Sequence, residues 1–301
     1  MRIFSAADLA VPTYGDYVEA LRGAFRGAVT APPRFVANTN EVTTLMLMPA
    51  WNKAFTGIKL LTVKSDNSAQ GLPNVQASYM LLDNTTGAPI ALMDGTELTR
   101  RRTAAASALA ADYLARKNAS TLLLVGTGAL APHFARAHAA VRPIARVLVY
   151  GRTREKALAV AREIGGEVVD DLEAAMAEAD IITGITTPSG PVILGKWVKP
   201  GAHIDLVGAY KPQDRETDGA AVGMARVYVD TREGALHEAG DLLMAEKEGY
   251  FKWADIQADL HDLTRGTMMG RKTDGEVTLF KSSGTALEDL AAAAMVYLRQ
   301  S

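Results

Sequence analysis

The stretch TLLLVGTGALAPHFARA, residues 121–137, constrains the fold of this 301-residue chain more than any other. TLLLV reads as a buried strand, and residues 129–141 are Ala-rich with apolar residues at helical spacing. Between them stands Gly126-x-Gly128-x-x-Ala131. Gly126 permits a tight turn, Gly128 lets the backbone approach a pyrophosphate, and the small Ala131 lets helix and strand pack closely. The helix N-terminus adds free N–H groups and the positive end of a dipole. Glycines often merely end a strand, but a strand–loop–helix context points to a dinucleotide. The alternation continues: RVLVY (146–150), EVV (167–169), DIITGI (180–185), AHIDLV (202–207) and RVYVD (226–230) read as strands, and residues 153–165 and 172–177 as helices. Strand and helix in turn imply a parallel sheet with helices on both faces.

The flanks follow another rule. Residues 42–48, 56–63, 75–82 and 89–93 read as strands joined by turns such as DNTTG (83–87), with gaps too short for a crossover helix. Their sheet is therefore expected to be largely antiparallel. Residues 99–115 form a long Ala-rich helix leading into the parallel domain. SGTALEDLAAAAMVYLRQ (283–300) opens with Thr285 and Glu288 at capping-box spacing. Leu287, Leu290, Ala291, Ala294 and Leu298 then make one apolar stripe that needs a surface to bury against. Placing it on the first domain makes the parallel domain an insertion. The expected fold class is α/β: a Rossmann-type domain, residues 116–279, inserted into a smaller α+β domain with a largely antiparallel sheet, residues 1–115 plus 280–301.

Composition excludes several functions. A formal net charge of −2 gives no strong field for nucleic acid or an anionic membrane. With no cysteine there are no disulfides, thiolate metal sites or cysteine nucleophile. The five histidines form no H-E-x-x-H pattern, and His133 and His138 lie off one helical face, so no metal is expected. The longest apolar stretch, Leu290–Leu298, is too short to span a bilayer, and MRIFSAADLA, without a basic n-region followed by an apolar h-region, does not read as a signal peptide. A cytoplasmic enzyme is expected.

The second strand of the parallel domain ends at Tyr150, where an NAD site commonly places an acid for the ribose 2′-OH. Here Gly151, Arg152, Thr153 and Arg154 stand instead. Two guanidinium groups and a hydroxyl suit a 2′-phosphate. The alternative is that Arg152, Arg154 and Lys156 are the solvated start of a helix, but cations are unfavourable at that end. NADPH is therefore expected rather than NADH. Cations also mark the first domain. Lys59 sits inside the apolar strand FTGIKLLTV, either on a solvated face or aimed into a site. Arg34 follows Pro32-Pro33, and Arg102 and Thr103 lie in TRRRTAAASALAA, with Ser107 one turn beyond.

KLLTVKSDN, RTAAASALAADYL, LLLVGTGALA, VYGRTREKA, KPGAHIDLVGAY and FKSSGTALED, in this order, resemble the ornithine cyclodeaminase/mu-crystallin family over nearly the whole chain. The resemblance implies a homodimer built through the first domain, a Rossmann second domain and a substrate site in the cleft between them. It places substrate-carboxylate binding on Arg34, Lys59 and Arg102. It places cofactor contacts on Arg102 and Thr103, on Gly126, Gly128, Ala129 and Leu130, on the Gly151–Arg154 loop, and on Val207 and Ser282.

Members that cyclise ornithine are similar to one another in an aspartate of a G-G-D-x-P segment and a glutamate before Leu-Met-Pro. The matching positions here are Tyr210, in Val207-Gly208-Ala209-Tyr210-Lys211-Pro212, and Met46, in Met46-Leu47-Met48-Pro49. Ornithine deamination is therefore not expected. The chain instead resembles the branch that reduces cyclic ketimines such as Δ1-pyrroline-2-carboxylate and Δ1-piperideine-2-carboxylate, giving L-proline or L-pipecolate. Cations anchor the carboxylate, the nicotinamide supplies hydride, and Lys59 or Tyr210 is the candidate proton donor. The rivals are reductive amination of a 2-oxo acid, as by an alanine dehydrogenase, and a cofactor-binding, crystallin-like protein without turnover.

Overall fold

The computed structural model describes all residues except Pro188, Ser189, Tyr210 and Ser301, and Ser68 by its backbone alone. Contacts divide the chain into two compact units, residues 1–103 with 285–301, and residues 104–284.

The first unit begins with β1 (Arg2–Phe4), α1 (Ala6–Ala10) and α2 (Tyr14–Arg26). Helix α2 starts where Thr13 and Asp16 form a capping box, and it buries Tyr17, Val18, Leu21 and Phe25 along one face. Then come β2 (Phe35–Asn40), β3 (Thr43–Trp51), β4 (Phe55–Lys64), β5 (Val75–Asp83), β6 (Pro89–Asp94) and α3 (Gly95–Leu114). The sheet order is β1-β6-β5-β4-β3-β2, antiparallel except for the parallel pair β1–β6. Period-2 alternation puts Met48, Ala50, Leu61, Tyr79, Leu81, Ala91 and Met93 on a buried face. Leu60 and Met80 lie outside, exposed.

The second unit holds β7 (Thr121–Val125), α4 (Ala131–Ala139), β8 (Arg146–Tyr150), α5 (Arg154–Ile164), β9 (Glu167–Val168), α6 (Leu172–Glu178), β10 (Ile181–Gly184), β11 (His203–Leu206), α7 (Gly219–Met224), β12 (Arg226–Val229), α8 (Arg232–Glu238), α9 (Gly240–Lys247), β13 (Ile256–Asp259), α10 (Leu260–Arg265) and β14 (Thr278–Lys281). The order β13-β12-β14-β11-β10-β7-β8-β9 is parallel throughout. From β7 the chain steps to β8 and β9 on one side, then returns to β10 and β11 on the other. That reversal opens the crevice where such sheets bind ligands. Finally α11 (Ala286–Arg299) returns to the first unit and packs on α2, β3 and β4.

The expected fold class is therefore present: an all-parallel sheet and a mostly antiparallel one. The unit boundaries fall at 103/104 and 284/285, not at 115/116 and 279/280. From Ala104 on, α3 belongs to the parallel unit. Ala104, Ala105, Ala106, Ala108 and Leu109 are fully buried, and Ser107 Oγ donates to Asp205 of β11 at 2.8 Å. Residues 280–284 stay with that unit through β14 and through Asp230, whose carboxylate accepts from the Ser283 and Gly284 N–H groups at 2.6 Å each.

Candidate functional site

Lys59 is on the buried face of β4, opposite Met48 and Tyr79 across the neighbouring strands. Its side chain is 1% exposed, which settles the choice between a solvated face and an interior one. A buried ammonium needs a counter-charge. Asp289 of α11 provides it, with Oδ1 and Oδ2 at 3.0 and 2.8 Å from Lys59 Nζ. Arg102 of α3 shares that carboxylate, donating from Nε to Asp289 Oδ1 at 2.8 Å and from Nη1 to Glu288 Oε2 at 2.6 Å. Burial, then Arg102 and more weakly Arg34, push the Lys59 ammonium down to about 8, while Asp289 opposes them. Arg102 and Lys59, against the effect of burial, hold the Asp289 carboxyl below the usual carboxylate range.

Lys59 and Arg102 thus share two carboxylates, Glu288 and Asp289, and the charge of Arg34 acts on Lys59. Arg34 is half-buried in the segment before β2. No hydrogen bond from Arg102 Nη2 to a described residue is found. Thr103 is buried next to Arg102 on α3.

In the second unit, Gly126 has φ +129°, and a Cβ there would lie 2.6 Å from the Ile185 carbonyl oxygen. Only glycine makes this turn without strain. A Cβ on Gly128 would meet nothing within 4 Å, so the fold itself does not require glycine there. The space above Gly128 suits a ligand. Helix α4 follows Leu130, which offers no side-chain cap; the Ala131 N–H donates back to the Gly128 carbonyl at 3.1 Å, the His133 N–H to the Leu130 carbonyl at 3.0 Å, and Pro132 has none to give, so the tight turn closes on its own backbone. Gly126, Thr127, Gly128, Tyr150, Gly151, Arg152, Thr153 and Lys156 line a groove, with Ile185, Thr186 and Thr187 after β10 as its opposite wall. These residues fit a dinucleotide.

Other expected contacts are placed as follows. Ala129 is exposed and Leu130 half-buried at the start of α4. Arg154 pairs with Asp170 and is not among the groove-lining residues; Lys156 is. The Val207 N–H donates to Glu216 Oε2 at 3.2 Å. Ser282 Oγ donates to Asp230 Oδ2 at 3.3 Å. Tyr210 lies outside the described residues.

Sequence reasoning missed the two acids of the cation cluster. Glu288 satisfies the spacing of a capping box, yet its carboxylate goes to Arg102, and Thr285 Oγ1 caps α11 alone through the Leu287 N–H at 3.4 Å. An acid pair flush with an apolar stripe was the available signal. Glu216, in the polar run KPQDRETDG, is fully buried and was not singled out at all.

A glycine turn at the reversal point of a parallel sheet defines a Rossmann-type nucleotide-binding protein, and the first unit adds the buried cluster of Lys59, Arg102, Glu288 and Asp289. The profile of the ornithine cyclodeaminase/mu-crystallin family matches residues 6–301, and the chain belongs to that family. A Delta(1)-pyrroline-2-carboxylate reductase of Bacillus cereus is 39% identical over 269 residues, covering 86% of this chain and 82% of its own. The Thermococcus litoralis Delta(1)-pyrroline-2-carboxylate reductase, solved with NADH and L-proline, superposes with a TM-score of 0.94 at 33% identity, over 99% of this chain and 97% of that one. An archaeal alanine dehydrogenase dimer with bound NAD gives 0.92 at 31% identity, over 99% and 95%.

Proposed function

We infer that the protein reduces a cyclic ketimine carboxylate, Δ1-pyrroline-2-carboxylate or Δ1-piperideine-2-carboxylate, to L-proline or L-pipecolate, with NADPH as reductant. Membership in an oxidoreductase class acting on C=N bonds with a nicotinamide cofactor follows from its reductase relatives and the bound NAD(H) of similar structures. The observation that carries the finer reading is the buried Lys59–Arg102 pair, held in place by Asp289 and Glu288, which sets two cationic donors side by side for a substrate carboxylate.

The nicotinamide, when bound, supplies hydride to the imine carbon. Arg102 binds the substrate carboxylate through its guanidinium, which Glu288 and Asp289 hold in one orientation. Lys59 adds charge to that contact and, with its ammonium at about 8, can give a proton to the imine nitrogen near neutral pH. An iminium that arrives protonated needs none, and Lys59 then only binds. Arg152 and Thr153, with Lys156 beside them in the groove, take the 2′-phosphate. A homodimer through the outer face of the six-stranded sheet, where Leu60 and Met80 are exposed, accompanies this reading.

Reductive amination of a 2-oxo acid is the second reading, favoured by the similarity to alanine dehydrogenase and by a lysine able to lose its proton near pH 8. Loss of nicotinamide absorbance with a panel of ketimines, 2-oxo acids plus ammonia, and ornithine tests both. Turnover of the cyclic ketimines above all others supports the first. Preference for pyruvate with ammonia supports the second and sinks the first.

A further inference from the structure

We propose that Glu216 is a positioning residue of the cofactor groove, its carboxylate locking together the two loops that follow β10 and β11 and so fixing the groove wall opposite the glycine turn. The inference rests on reading that groove as the nicotinamide-cofactor site. Glu216 Oε1 accepts from the Thr186 N–H at 2.7 Å and from Thr186 Oγ1 at 2.8 Å. Oε2 accepts from the Gly208 and Val207 N–H groups at 2.6 and 3.2 Å. Thr186 and its neighbours Ile185 and Thr187 line the groove directly.

The backbone that carries this carboxylate is itself held on both sides. The Glu216 and Thr217 N–H groups donate to Asp241 Oδ1 at 2.7 and 3.0 Å, and the Glu216 carbonyl accepts from the Val192 and Ile193 N–H groups. Lys281 Nζ, 2.9 Å from Asp241 Oδ2, also donates to the Ala209 carbonyl. The surrounding strand ends are cut to fit. A Cβ on Gly184 would lie 3.0 Å from the Glu216 carboxylate, and one on Gly208 only 2.6 Å from it. A fully buried acid with four donors at the carboxyl ends of two adjacent central strands stands where a Rossmann sheet presents its ligand.

Only an ionised carboxylate accepts from all four donors. Burial, and then the Asp241 carboxylate against the opposing charge of Lys281, push the Glu216 carboxyl up to about 7. Cofactor affinity should therefore fall as pH drops through neutrality. Glu216→Gln removes the titration and turns an N–H₂ group against two of the donors.

The test is direct binding of NADH to the full chain, followed by cofactor fluorescence from one pH unit below neutrality to one above, with a thermal melt of each variant. NADH is chosen because it lacks a titrating 2′-phosphate. For the unmodified chain, Kd should rise up to about tenfold per unit on the acid side. Glu216→Gln should bind about tenfold more weakly on the alkaline side and show no such pH dependence. Thr186→Val, which loses one hydrogen bond and keeps the carboxylate, should weaken binding a few-fold with the pH dependence intact. A folded Glu216→Gln with unchanged Kd, or with the wild-type pH dependence, overturns the inference, and so does a lowered melting temperature with no effect on Kd. If Glu216→Gln fails to fold, a flat wild-type pH profile together with normal binding by Thr186→Val does the same. A wild-type chain that binds neither NADH nor NADPH refutes the reading of the groove itself.

Discussion

Asp289→Asn keeps the volume of a buried side chain and removes its charge. Asp289 Oδ1 accepts from Lys59 at 3.0 Å and from Arg102 at 2.8 Å, and all three side chains are buried. The variant removes the carboxylate that Lys59 and Arg102 share and leaves Arg102 paired with Glu288. Breaking a buried ion pair from one side costs about 3–5 kcal/mol. The first unit has about 120 residues. At about 2.1 cal/mol/K per residue its unfolding entropy is roughly 0.25 kcal/mol/K, so its melting temperature should fall by about 12–20 °C. The deficit should also depend on pH. Arg102 cannot shed its proton, but Lys59, with its ammonium already pushed down to about 8, can. Below that value Lys59 is a cation that only the unmodified protein compensates; above it Lys59 is neutral in both. The deficit should therefore be largest on the acid side and narrow as pH rises through about 8. Calorimetric melts of both proteins on either side of that pH provide the measurement. A melting temperature within about 2 °C of wild type at neutral pH, or a deficit that widens with rising pH, would refute the buried ion-pair account.

Arg152→Asp should erase or reverse the preference for NADPH, because each charged hydrogen bond lost to the 2′-phosphate costs about 1.5–3 kcal/mol, or roughly tenfold or more in relative kcat/KM; equal use of NADPH and NADH by the unmodified protein would contradict the role given to this loop. In the free enzyme kcat/KM should decline as pH rises through about 8, where Lys59 loses its charge, and Lys59→Arg should move that decline out of range; an unshifted profile would remove Lys59 from the mechanism. Gly126→Ala should lower the melting temperature, since its backbone is left-handed and its Cβ would meet the Ile185 carbonyl, whereas Gly128→Ala should melt normally while binding cofactor at least about tenfold more weakly. Normal cofactor binding by Gly128→Ala would show that nothing approaches that backbone.

The parallel sheet was legible because its signals are local. TLLLV and RVLVY are continuous apolar runs, and the glycine turn follows the first of them, so β7 and β8 end where period and punctuation say they should. Less legible were β13 and β14, four residues each. β14 carries a threonine and a lysine, both fully buried, because Arg271 and Asp241 meet them from distant parts of the chain. The unit boundary inside α3 was hidden because one uninterrupted Ala-rich helix serves both units, with no change of composition at Ala104. The cations of the first unit stood out as charges in apolar or Ala-rich surroundings. Their acids did not. Glu288 and Asp289 occupy the first turn of α11, where acids are ordinary for dipole reasons, and their partner Arg102 is nearly two hundred residues away. Glu216 was hidden in the same way: KPQDRETDG has the composition of a solvated turn, and only the tertiary fold buries one of its acids.

Capture of a cyclic imine's carboxylate by Arg102 and Lys59 can be read from kcat/KM for Δ1-pyrroline-2-carboxylate against that for 1-pyrroline, the same ring without the carboxylate, under saturating NADPH. Two charged hydrogen bonds from Arg102 and Lys59, at about 1.5 kcal/mol or more each, predict a preference for the carboxylate of more than roughly a hundredfold, and its collapse in Arg102→Lys, which keeps the charge but loses the planar fork. Comparable kcat/KM for the two imines, or an Arg102→Lys variant that retains the full preference, would contradict the account.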